Sequence, residues 1–154
     1  MGRLTHPRED GACYHVTSTT DKWHPFFRDH GCAQDLWDVI NAQRQRGRFN
    51  LLAFAIMPDH LHLLLMPSEG ATLGLIMREI KKGSARMINR RLGRRGKVWM
   101  DRYYDHGVRG VRELCEKVAY IHGNPVREGI VEEASAYRFS SANPVFDGAL
   151  WKDW

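Results

Sequence analysis

No apolar run in the sequence approaches the roughly 20 residues that a membrane-crossing helix needs, so no membrane partner is expected. Cysteine is scarce. Cys13, Cys32 and Cys115 are odd in number, far apart and without a CxxC pair, which argues against a disulfide framework and a cysteine zinc site. That usage suits a reducing, cytoplasmic setting. The opening MGRLTHPRED lacks the apolar core of a secretory leader. There is no GxxxxGKS or GxxxxGKT string, so nothing marks a nucleotide-phosphate loop of that type. Internal repeats and dividing linkers are missing too. A single domain over residues 1–154 is expected, with the tail from about residue 143 the least defined part.

Positive charge is plentiful and concentrated. The chain carries a net charge of +5, yet between Arg78 and Lys97 nine cations face a single acid, Glu79. Such a run is an electrostatic footprint for nucleic acid or a solvated helix face, and charge alone does not separate the two. Lys81, Lys82, Arg86, Arg90 and Arg94 are the candidate phosphate contacts.

Hydrophobic spacing orders the elements. Residues 14–20, rich in β-branched side chains, read as a strand, and 29–46 as a helix stopped by Gly47. Residues 49–57 are apolar on both faces, as in a covered central strand. Pro58-Asp59 is turn chemistry, and 60–66 reads as the return strand. A helix capped by Thr72 runs to a stop at Gly93, interrupted by Gly83. A strand over 98–106, a helix over 111–123 and short irregular pieces follow. The order predicts an α+β fold: a ferredoxin-like antiparallel sheet with helices packed on it.

His60 and His62 share one face of their strand, while Leu61, Leu63 and Leu65 take the other. Side-by-side imidazoles suit one divalent cation, and two structural histidines bonded to backbone are the alternative; the spacing favours the metal. In the later helix, Val111, Leu114, Cys115, Val118 and Ile121 form an apolar stripe. Tyr120 lies about half a turn from its centre, with Asn124 one turn further on. Alone, that helix favours a surface tyrosine and an asparagine that caps a helix opening at Pro125. Taken with the histidines, it offers an amide oxygen as third ligand and a phenol as nucleophile toward a phosphodiester.

The strings AFAIMPDHLHLLLMP, WMDRYYDH, YIHGNPVREGIV and YRFSSA, in that order, resemble the REP-associated tyrosine transposases, single-tyrosine HUH nucleases related to insertion-sequence transposases. The resemblance covers about residues 14–142. It implies that His60, His62 and Asn124 hold Mg²⁺ or Mn²⁺ and that Tyr120 is the nucleophile. The implied substrate is single-stranded DNA bearing a REP hairpin, cut to a 5′-phosphotyrosine and a free 3′-hydroxyl. The implied state is a monomer, with exchange of the tyrosine helix between two copies as the alternative. Against this nickase and strand transferase stand two other readings: a hairpin-binding protein that does not cut, and a metal hydrolase that uses water. The intact His60, His62, Tyr120 and Asn124 set argues against the first, and the lack of an HxHxDH string against the second. Trp151 and Trp154 read as terminal packing or as stacking platforms for bases.

Overall fold

The structure, a computed structural model, describes residues 12–154, so the opening MGRLTHPRED lies outside the described residues. Four strands form one sheet in the order β2-β3-β1-β4: β1 (Cys13–Thr19), β2 (Phe49–Ile56), β3 (His60–Pro67) and β4 (Tyr104–Val108). Every neighbouring pair is antiparallel. Helices α1 (His30–Gln45), α2 (Leu73–Leu92) and α3 (Gly110–Arg127) complete the expected ferredoxin-like order.

Strand alternation sorts the core onto two faces. One face presents Val16, Phe54, Ile56, Leu61, Leu63 and Leu65, all buried beneath α1 and α2. The expected burial of the three leucines is therefore found. The other face presents Cys13, Ala53, Ala55 and Leu64 beneath Leu114 and Ile121 of α3. The apolar stripe of α3 is narrower than its sequence spacing implies, because Val111 and Cys115 are exposed.

Local chemistry sets the element ends. Asp29 caps α1 by accepting from the Cys32 N–H, and Thr72 caps α2 by accepting from the Leu75 N–H. Gly93 ends α2 in the left-handed region at φ 61°. Gly83, an interruption in the sequence, sits where a Cβ would stand 3.1 Å from Val39, so it lets α1 and α2 approach closely.

Two expectations need correction. The strand over 98–106 is shorter: Val98 and Trp99 are buried, and Trp99 makes only an isolated bridge to Thr20. The polar Asp101 and Arg102 lie between this segment and β4, which starts at Tyr104. The last helix does not stop at Gly123 with Asn124 as a cap; it runs through Pro125 to Arg127. Its end is closed by Gly129 N–H to Val126 O and Ile130 N–H to Pro125 O. The tail from about residue 143 packs onto the fold. Phe146 packs against Trp37 and Phe54, and the Trp151 N–H reaches Leu51 O at 2.8 Å. The YRFSSA segment lines the β2 edge through Ile56 N–H to Phe139 O and Ser141 N–H to Phe54 O.

Candidate active site

The site lies on the sheet face beneath α3. A tight turn places its first element. Met57 N–H bonds to His60 O across Pro58-Asp59, and Thr20 N–H and Phe27 N–H hold Asp59 O and Pro58 O. The turn aims the Asp59 carboxylate at His60, whose Nδ1 stands 2.7 Å from Oδ1. With Nδ1–H donating there, Nε2 keeps its lone pair, and it faces the Asn124 amide nitrogen at 3.1 Å. Asn124 is buried, and its amide group lies against His60.

His62 follows two residues later, with its ring centroid 4.9 Å from that of His60. β1 lies beside it in a register that pairs Thr17 with His62. Two β1 side chains therefore meet the His62 ring. Its Nδ1 is 3.1 Å from Thr17 Oγ1 and 3.1 Å from His15 Nε2. Burial, reinforced by the neighbouring His60, His15 and Arg127, lowers the His62 pKa to about 3. Burial also lowers His15 to about 4, with Lys117 and His106 adding to it. Both imidazoles are thus neutral near pH 7, the form in which a histidine offers a lone pair.

Tyr120 comes from α3 of the same chain. Its ring centroid is 5.7 Å from that of His62 and 5.8 Å from that of His15, edge-on to both. The residue is 48% exposed, so the phenol stands at the mouth of the site. An open groove of about 470 Å³, lined by Arg109, Arg112, Glu113, Glu116 and Lys117, ends on Tyr120. Behind α3, His122 bonds to Ser141 Oγ at 2.7 Å, tying the helix to the segment along β2.

His60, His62, Asn124 and Tyr120 come together, whereas the basic residues of α2 lie across the sheet. Lys81 is turned inward to the carbonyls of Met100 and Asp101 at 2.7 and 3.3 Å. Arg94 bonds to Asn89 and to Lys97 O and lies over the Phe26 ring. Lys82, Arg86 and Arg90 are exposed, without an ion pair among the described residues. Both Lys81 and Arg94 thereby anchor the 94–103 segment, which meets β1 through Met100 N–H to Thr19 O near His60. Trp151 and Trp154 line a cavity of about 630 Å³ beside Val118 and His122. His15, Thr17 and Arg127 are the neighbours that sequence reasoning missed. A histidine and a threonine two apart in a strand share a face, but only the β1–β3 register shows what they face.

The family described as "Transposase IS200 like" matches residues 10–124. A REP-associated tyrosine transposase of Escherichia coli K12 is 28% identical over 118 residues, covering 75% of this chain and 68% of its own. A Haemophilus influenzae counterpart is 27% identical over 117 residues, covering 69% of this chain and 66% of its own. The chain thus spans about two thirds of the length of these relatives. The solved structure of a REP-associated tyrosine transposase bound to a REP hairpin superposes with a TM-score of 0.76 at 25% identity, covering 100% of this chain and 91% of the other. A structure from Deinococcus radiodurans shares the fold at a TM-score of 0.55 and 20% identity.

Proposed function

The chain belongs to the IS200-like transposases, and from that premise we propose that it cuts and transfers single-stranded DNA at a REP hairpin, with Tyr120 as nucleophile. One observation carries the reading: a half-exposed phenol stands edge-on to the neutral imidazoles of His62 and His15 while the amide of Asn124 faces His60 Nε2.

Tyr120 Oη attacks phosphorus, and the bond to the 3′-oxygen breaks. The products are a 5′-phosphotyrosine and a 3′-hydroxyl. One phosphoester replaces another, so the step needs no nucleotide hydrolysis. The reverse attack by a 3′-hydroxyl would rejoin a strand and release Tyr120.

The donor set fits Mg²⁺ or Mn²⁺. Asn124 is the proposed third protein ligand, supported by its amide standing 3.1 Å from His60 Nε2. Asp59 holds His60 in the tautomer whose Nε2 is unprotonated. His15 Nε2 or Thr17 Oγ1 can accept a hydrogen bond from His62 Nδ1–H, the tautomer that leaves the His62 Nε2 lone pair available. Turning the Asn124 amide over exchanges its nitrogen for its oxygen beside His60 Nε2. A bound divalent cation would polarise the scissile phosphate and offset the charge that develops there.

A single chain supplies all of these groups, which supports action as a monomer. The exposed Lys82, Arg86 and Arg90 are the preferred phosphate contacts away from the cut; Lys81 and Arg94 serve first to hold the segment beside the site. The setting is the bacterial cytoplasm, where the DNA is.

The test is incubation with hairpin DNA and Mn²⁺ followed by a denaturing gel. A covalent protein–DNA species is expected. Cleaved DNA without an adduct would support a water-using hydrolase, and tight binding without cleavage would support a hairpin-binding protein.

A further inference from the structure

Gly123 lies inside α3, where glycine costs stability relative to alanine. A Cβ built there would stand 2.7 Å from Arg127 Nη1 and 3.7 Å from its Cζ, and apart from the helix's own backbone it would meet nothing else within 4 Å. The missing methyl is therefore the space occupied by one guanidinium. Arg127, exposed and free to extend into solvent, instead runs back along the helix through this notch. Its Nη2 donates to Tyr120 O at 2.5 Å, and its guanidinium lies over the Tyr120 ring at 4.4 Å from the centroid.

Tyr120 is thus bracketed. The guanidinium covers one ring face, and the edge contacts with His15 and His62 limit it elsewhere. A half-exposed tyrosine without such a bracket would exchange rotamers in solvent. Resting on the reading of Tyr120 as nucleophile, we propose that Arg127 is a positioning residue, a splint that holds the phenol over the histidines, and that Gly123 exists to let it lie there.

Stability and rate should respond in opposite directions in Gly123→Ala, which separates this role from a structural one. Alanine favours the helix, so the variant should unfold at a higher denaturant concentration than wild type. Displacing the splint should slow single-turnover adduct formation on hairpin DNA by about two- to fivefold, the rate equivalent of one solvent-exposed cation–π contact. Arg127→Ala should slow it equally, and the double variant no further, because both changes remove one contact. Hairpin affinity should stay unchanged while the rate falls. In protein labelled on tyrosine rings, the Tyr120 resonance, assigned by its loss in Tyr120→Phe, should shift alike in both single variants, whether or not the adduct forms. Gly123→Ala at the wild-type rate, penalties that multiply in the double variant, or an unmoved Tyr120 resonance would overturn the inference. An adduct that persists in Tyr120→Phe would overturn the nucleophile assignment instead, and the resonance would still decide whether Arg127 orders the ring.

Discussion

Acidification of the metal-free protein probes the neutral histidines directly. The His15 ring, lowered to about 4, and the His62 ring, lowered to about 3, both lie below the ordinary histidine value of 6.5. At pH 5 the unfolded chain protonates both rings and the folded chain protonates almost neither. Folded pKa values that are depressed mean that this stability is present above about pH 6.5 and is lost as pH falls toward them. Each ring then costs about 1.36 kcal/mol per pH unit over about 1.5 units, or about 2 kcal/mol by pH 5. Together they remove about 4 kcal/mol, which at a urea dependence of about 2 kcal/mol per molar lowers the unfolding midpoint by about 2 M. Glu113 and Asp101 are held below the ordinary carboxylate range by His106 and Lys97, so they titrate below this window. His122, lowered by burial, adds in the same direction as the pair. The assay is urea unfolding in EDTA at pH 7 and pH 5, in wild type and in His15→Gln, where about half of the paired loss should vanish. A midpoint that does not move between the two pH values, or a full loss in His15→Gln, would refute the reasoning.

Other consequences are as direct. Asp59→Asn removes the carboxylate behind His60 and should weaken Mn²⁺ binding about 10- to 100-fold by calorimetry, while hairpin affinity persists. Asp35 is buried and takes two bonds from Arg91. Asp35→Ala should therefore cost about 1–2 kcal/mol in urea unfolding and leave the salt dependence of DNA binding unchanged. Replacing Lys82, Arg86 and Arg90 together with alanine should flatten the plot of log K against log salt by about 2 to 3 units in slope, and an unchanged slope would remove α2 from the interface.

Much of the fold can be read in the sequence because its signals are local. Pro58-Asp59 marks the hairpin, Gly93 ends a helix, and the leucines alternating with His60 and His62 state which side of β3 is core. The misreadings have one physical origin: a local signal overridden by a tertiary contact. Asn124-Pro125 has the chemistry of a helix start, yet the amide is needed by His60 and the helix continues. Val98 and Trp99 have strand character, but Trp99 is drawn into the core, where its Nε1–H bonds to Ser84. Lys81 and Arg94 carry a second role that charge alone does not announce, since both bond to backbone carbonyls of the 94–103 segment. The site shows the same division. The spacing of His60 and His62 announces a shared face, while His15, Thr17 and Arg127 enter through strand register and a notch at Gly123.

The central claim is that Tyr120 carries the DNA. After reaction with hairpin DNA and Mn²⁺, nuclease trimming and trypsin digestion, mass spectrometry should find a nucleotide on the peptide spanning residues 118–127, whose one tyrosine is Tyr120. A nucleotide on the peptide spanning residues 103–109, which holds Tyr103 and Tyr104, would contradict the account.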